Sequence, residues 1–196
     1  MPRWDPDAVG RLQLAALELF GQQGFAGTTV SEIARRAGLT ERTFFNHFDA
    51  KKDVLFGPRT QRHQEIVLRE ILASDDASRP IDVVVHGLQI AAEELFEGLR
   101  EASIRRRQII DENPELLERD LGKRTALIAA IAEALRGRGL DADAAILTAR
   151  IGAVIEQSAE ERWMRSPKPL SLQHHLSDVF ASLEGILQAR GPDWTA

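Results

Sequence analysis

At 196 residues and 43% hydrophobic content, the chain suits one large domain or two small ones and can fill a packed core. It has no cysteine, which excludes disulfides and thiolate metal sites and fits a reducing compartment. No apolar run approaches the roughly 20 residues that span a bilayer, and the opening MPRWDPDAVG lacks the apolar stretch of a secretory signal. A soluble cytoplasmic protein with no membrane partner is the simplest expectation. The net charge of −5 argues against a nucleic-acid partner until it is located. Residues 1–57 hold seven basic and seven acidic side chains, whereas 58–196 hold 18 and 23, so the acidity is confined to the C-terminal part. Between Val30 and Lys52 there are five basic groups and three acidic ones. DNA binding there would be salt-sensitive with a modest slope.

Val9, Leu12, Ala16, Leu19 and Phe20 recur at helical spacing, which predicts an amphipathic first helix over 7–22, ended by Gly24. Thr29 and Glu32 have the T-x-x-E spacing of a capping box, and Ile33, Ala34 and Ala37 then give an inward face. Gly38 can take the left-handed conformation that closes this second helix. Thr40 is a good N-cap for a third helix from Glu41. Phe44 and Phe48, at i and i+4, share a face and can anchor that helix, which leaves Phe45, Asn46 and His47 off the anchored side. Two short helices joined by a tight turn make a helix-turn-helix, a shape that fits the major groove. Arg42 can fork to a guanine or to a phosphate, and Thr43 can meet a thymine methyl or a phosphate. His47 and Lys51 are placed for phosphates, Lys51 near a helix N-terminus where anions bind.

Lys51 begins a predicted fourth helix to about Ala73, with Gly57-Pro58 inside it as a kink or a helix end. SDDASRP (74–80) reads as a polar loop, with Pro80 opening the next helix. Residues 81–99 carry the stripe Val84, Leu88, Ala91, Ala92, Leu95, Phe96, Leu99. A shorter helix over 101–111 is broken by Asn113-Pro114, and a long one over 116–136 ends in GRGL. Residues 141–164 and 172–189 are the last two helices, separated by SPKPLS. Nothing alternates with period two for long, so the expected class is all-α with about nine helices.

At GF (24–25), TTVSEIA, AGLTERTFFNHF and Lys51, preceded by the apolar AALELF (15–20), the chain resembles the tetracycline-repressor-like (TetR) family of bacterial transcription regulators. The likeness covers residues 1–57. It implies a helical homodimer with a DNA-binding domain at 1–57 and a ligand-binding and dimerisation domain at 58–196. The implied output is a repressor that leaves palindromic operator DNA when a small hydrophobic effector binds. Thr29, Ser31, Thr40, Glu41, Arg42, Thr43, Phe45, Asn46, His47 and Lys51 are the expected DNA-binding residues. Phe45 stands where the family commonly has Tyr, so it cannot donate a hydroxyl bond to the DNA backbone. Ala50 stands where the family often has Ser or Asn, leaving Asp49 as the alternative cap.

Ile146, Ala149, Ala153 and Val154, with Leu176, Val179, Phe180, Leu183 and Ile186, can build a four-helix contact across a two-fold axis. The pattern alone fits an intramolecular core nearly as well. The segment RRRQIIDENPELLERDLGKRTALIAAIAEAL followed by AEERW resembles a TetR subgroup that binds acyl-CoA-like ligands. A pocket between apolar helices suits such a molecule. Its expected lining is Leu88, Phe96, Ile109, Leu127, Ile131, Ile155 and Trp163, with Gln89, Arg106 and Glu156 for polarity. Arg105-Arg106-Arg107 can meet a phosphate-bearing head group or form a solvated face paired at i, i+4.

Catalysis is not expected. There is no G-x-S-x-G, P-loop or dinucleotide fingerprint, hence no cofactor. Glu93-Glu94, Glu160-Glu161 and Asp75-Asp76 are adjacent carboxylates of the kind that face water. His174 and His175 are neighbours about 100° apart on a helix, and His63 and His86 lie on separate helices, so no metal site is expected. The competing reading is a helical small-molecule-binding or scaffolding protein without operator binding, which Phe45 and the modest local charge leave open.

Overall fold

The computed structural model describes residues 8–75 and 77–189; the expected helix start at residue 7 and Asp76 of the acidic pair lie outside them. The described residues form α-helices and one 3-10 turn, with no strand among them. The first helix, α1 (Ala8–Gly27), is interrupted at Gly24, where φ is +78°. It is followed by α2 (Val30–Arg36) and α3 (Glu41–Phe45).

The fourth helix expected over Lys51–Ala73, with Gly57-Pro58 as a kink or a helix end, is two pieces. Lys51–Phe56 winds as a 3-10 turn and α4 spans Pro58–Ala73. Ala50 occupies the cap position of the first piece and has no side-chain acceptor, and Asp49 stands one residue too early to replace it. The Pro58 ring disfavours helical geometry at the residue before it, and Gly57 is extended there (φ −64°, ψ −154°). Proline itself opens α4 at a position whose N–H would have no helical partner. Gly57-Pro58 is thus a boundary between two helices.

Five more helices complete the described chain: α5 (Pro80–Phe96), α6 (Arg100–Asp111), α7 (Pro114–Gly137), α8 (Ala142–Arg165) and α9 (Leu172–Gln188). Pro114, read as a breaker, both ends α6 and starts α7. No helix among the described residues is long and apolar enough to cross a membrane.

The chain divides into two compact units. The head takes residues up to Arg62 together with Glu101–Lys123, and the body takes His63–Arg100 together with Arg124 onward. In the head, Leu12, Phe20, Ile33, Phe44, Phe48 and Val54 share one core with Ile110 and Leu116 of α6 and α7. In the body, α5, α8 and α9 pack on one another, and Ile66, Ile71, Val84, Leu88, Ile131, Leu135 and Ile155 fill the centre.

Small residues on α8 make the approach of α5 possible. A Cβ added to Gly152 would lie 2.5 Å from Val84 Cγ1. Gly152→Ala is therefore expected to destabilise the protein by about 1–3 kcal/mol through overpacking, although alanine is the better helix former. A denaturant melt that shows equal or greater stability would mean that α5 yields.

Candidate nucleic-acid interface

The residues that the sequence marks fix both ends of the second helix and the start of the third. Thr29 caps α2: its hydroxyl accepts from Glu32 N–H (3.2 Å) while Glu32 Oε2 accepts from Thr29 N–H (2.8 Å). The Thr29 N–H, together with the Thr29 hydroxyl that also donates to Glu32 Oε2 (2.8 Å), holds the Glu32 carboxyl below its usual range. At the far end Leu39 N–H reaches the Ala34 carbonyl (2.8 Å) and Gly38 N–H that of Arg35 (3.0 Å), the paired bonds of a Schellman motif. Gly38 sits at φ +68° to make them. Arg11 of α1 donates to the Ala37 carbonyl, so a cation closes the C-terminal end of α2. Thr40 caps α3, accepting from Thr43 N–H at 3.1 Å, and its hydroxyl lies 2.9 Å from that of Thr43.

The caps aim α3. Phe44 and Phe48 are buried, with ring centroids 5.2 Å apart. The opposite side presents Glu41, Arg42 and Asn46 to solvent, along with Phe45, which is 53% exposed. Thr43 and His47 are half-buried, and Ser31 is exposed on the first turn of α2. The hydroxyls of Thr29 and Thr40 are committed to capping, so these two expected DNA ligands hold the scaffold whatever else they touch.

Lys51 differs from its expected orientation. Its ammonium donates to the carbonyls of Phe25 (2.7 Å) and Thr28 (2.8 Å) and lies 4.2 Å from the centre of the Phe25 ring. Two of its three N–H groups tie the end of α1 to the 3-10 turn. Lys51→Ala should accordingly lower stability by about 1.5–3 kcal/mol, the range for hydrogen bonds to a charged group. Unchanged denaturant stability with a shallower salt slope of DNA binding would make it a phosphate ligand instead.

The expected effector residues divide between the units. Leu88, Ile131, Ile155 and Trp163 are buried in the body, and Phe96 and Leu127 pack against them. Gln89 Nε2 donates to Ser177 Oγ at 2.9 Å. Ile109 belongs to the head core. Arg106 is also in the head, where Nε donates to the Leu55 carbonyl (2.8 Å) and the guanidinium lies 5.0 Å from the centre of the Phe56 ring. Its neighbours go separate ways: Arg105 makes an exposed i, i+4 pair with Glu101 (3.3 Å), and Arg107 binds Asp111 (2.7 Å) and the buried Asp120 (2.8 Å).

Glu156 has a partner that sequence reasoning passed over. His63 Nε2 stands 2.8 Å from its Oε1, and the His63 ring meets Phe96 edge-on, as Phe96 meets Trp163. Burial disfavours charge on His63, but the Glu156 carboxylate outweighs it and Glu160 adds to the pull against Arg124, so its pKa is raised. A signal existed: His63 lies at i−3 and i−4 from the buried Ile66 and Val67. The other histidines differ. His174 pairs with Asp178 (3.2 Å), while His175 is buried and shifted downward by desolvation and by His174.

The nine residues of the possible two-fold contact also divide. Ala149, Leu176 and Val179 are buried within the body, and Ile146, Ala153, Phe180 and Leu183 are partly covered. Val154 and Ile186 are exposed, as are Leu147 on α8 and Leu187 next to Ile186 on α9.

Comparison with known proteins adds three findings. Residues 14–57 match the family model described as bacterial regulatory proteins, tetR family. The HTH-type transcriptional regulator TcmR of Streptomyces glaucescens is 49% identical over 43 residues, 22% of this chain and 19% of that protein. The match therefore spans about a fifth of the relative. Among solved structures, FadR of Bacillus subtilis in complex with stearoyl-CoA superposes with a TM-score of 0.59 at 17% identity, covering 89% of this chain and 96% of that one. The fatty acid degradation regulator FadR of Bacillus halodurans gives 0.54 at 18%, covering 96% and 100%. The likeness to the two structures is one of fold. All three proteins are named as regulators.

Proposed function

We propose that this chain, whose residues 14–57 match the family model described as bacterial regulatory proteins, tetR family, is a homodimeric repressor of palindromic operator DNA released by a small hydrophobic effector. One observation carries the DNA half. Phe44 and Phe48 lock one side of α3 into the head while Glu41, Arg42, Phe45 and Asn46 stand outward on the other. A helix held in this way enters a major groove with its first turn at the base edges. Two heads then read half-sites about 34–36 Å apart, one helical turn. Selection from a random duplex pool by the purified protein tests this. Enrichment of an inverted repeat with that spacing is the expected result; a pool that stays random would leave a helical binding protein without an operator.

Arg42 is the residue on which specificity turns. Arg42→Ala should weaken operator binding by about 1–3 kcal/mol and relax preference at one base pair if the guanidinium reads a guanine. Anisotropy titrations over operators varied at each position separate this from a phosphate contact, which would weaken every sequence alike.

The effector half rests on the body. Its core is apolar around Leu88, Ile131 and Ile155, with the Phe96 ring edge-on to Trp163 and to the His63 of the His63–Glu156 pair. Such walls suit a greasy molecule with one polar end, and an acyl-CoA-like compound has that form. The effector must bind the operator-bound and released arrangements with different affinity, or nothing shifts. Mass spectrometry of whatever co-purifies with the full chain identifies it.

A further inference from the structure

Two histidines of the body stand in opposite surroundings. His63 on α4 has Nε2 at 2.8 Å from Glu156 Oε1 of α8, and the two side chains are 12% and 15% exposed. Glu160 of α8 adds a second carboxylate, itself bound by Arg124 of α7 at 3.1 Å, and α5 contributes the uncharged Phe96 ring. His175 on α9 is 7% exposed, and its Nε2 is buried with no hydrogen-bond partner among the described residues. The adjacent His174, with Arg162 of α8 and Arg100, opposes charge on it, whereas Asp178 favours charge but is already paired with His174 at 3.2 Å. On α5, the Glu93 carboxylate is taken by Gln173 at 3.2 Å. All of these residues belong to the one unit.

We propose that His63 and His175 set a pH window on the body, which is most stable where the first carries a proton and the second does not. Burial alone would strip the proton from both. His63 keeps it because a charge-assisted bond to a carboxylate offsets the burial, and its pKa is raised. His175 has no acceptor to offset the same penalty, and its pKa is lowered by burial and by His174. Linkage then gives the sign. A raised histidine contributes stability that is complete below about pH 6.5, the ordinary value, and is lost as pH climbs through the folded pKa. A lowered one contributes stability that is complete above about pH 6.5 and is lost as pH falls through the folded pKa. Both contributions are whole together only at about pH 6.5. On the alkaline side the bond between α4 and α8 weakens; on the acid side α9 must take a charge into the core. The sequence keeps the alkaline side simple. With no cysteine and no tyrosine, the side chains whose ordinary values lie between about pH 6 and 9 are the five histidines. Of the other three, His47 lies in the head, and His86 and His174 are exposed. The window concerns the body alone and stands whether or not the chain selects an operator.

Trp163, in the body core, gives a local readout. Phenylalanine in place of Trp4 and Trp194 leaves it as the single tryptophan. Urea unfolding of that parent is followed by its fluorescence at one protein concentration, from about pH 5 to 9. The midpoint should be highest at about pH 6.5 and fall on both sides. His63→Gln and Glu156→Gln should each lower the midpoint on the acid side and flatten the alkaline fall. His175→Leu, which removes the polar atom at similar volume, should flatten the acid fall and leave the alkaline one as in the parent. An alkaline fall that persists in both His63→Gln and Glu156→Gln, or an acid fall unchanged in His175→Leu, overturns the proposal. If a variant does not hold its fold, the unsubstituted chain answers by NMR titration of the imidazole Cε1–H signals. One histidine should titrate above the ordinary value and one should stay neutral below it; a set with neither, or with only one of them, overturns the window as well.

Discussion

Val154→Glu combined with Leu187→Glu is expected to leave a folded single chain whose operator affinity has fallen by about 10²–10⁴-fold. Both side chains are apolar and face solvent in the isolated chain, at 63% and 76% exposure, on α8 and α9. Glutamate at an exposed helical site is a good helix former, so the cost to the single chain is small, within about 0.5 kcal/mol per site. The same charges brought against a second copy would be desolvated without partners, which a two-fold contact repeats on both sides. Without the second copy each head binds alone, and the effective concentration that the linked head supplies is lost. Sedimentation equilibrium and anisotropy on the same samples decide the matter. A double variant that still sediments as a pair would move the contact off this face. One that becomes single and keeps full affinity would remove the need for paired heads.

The helix-turn-helix was legible because its determinants are local. A capping box needs two residues three apart, a Schellman closure needs one glycine, and Phe44 with Phe48 needs only helical spacing; each is found where the spacing puts it. Partners that are remote in sequence are not legible in this way. Lys51 stands at a predicted helix start, which points its ammonium to a phosphate, yet that ammonium is held by carbonyls 26 and 23 residues earlier. Periodicity marks Ile109 as a buried face of α6 but not which core receives it, and the receiving core is that of the head. Arg106 follows the same rule, its acceptor being the Leu55 carbonyl 51 residues away. Gly57-Pro58 was ambiguous because proline both disfavours helix before it and favours helix start at its own position; the lack of a side-chain cap at Ala50 allowed the first piece to wind as a tighter turn.

Two adjacent phenylalanines provide the sharpest contrast available in the head. Phe44 is 0% exposed, inside the core that also holds Leu12, Ile33 and Phe48. Its truncation to alanine removes a full ring from a packed site, a change worth about 3–5 kcal/mol. A domain of this size has little more stability than that to lose, so Phe44→Ala should unfold α3 and abolish operator binding, while the body, which shares none of that core, keeps its helices. Phe45 is 53% exposed and meets Phe44 edge-on at 5.5 Å. Phe45→Ala should cost the fold less than about 1 kcal/mol, because most of its ring is already in water, and any loss of operator affinity would then come from sugar or methyl contact. Phe45→Tyr tests the same position in the other direction, since it adds the one hydroxyl donor that can reach a phosphate. Chemical denaturation monitored by circular dichroism, with anisotropy titrations on the selected duplex, separates the three. The assignment of inward and outward faces on α3 fails if Phe44→Ala melts no earlier than Phe45→Ala, because the two residues would then be equally buried in solution.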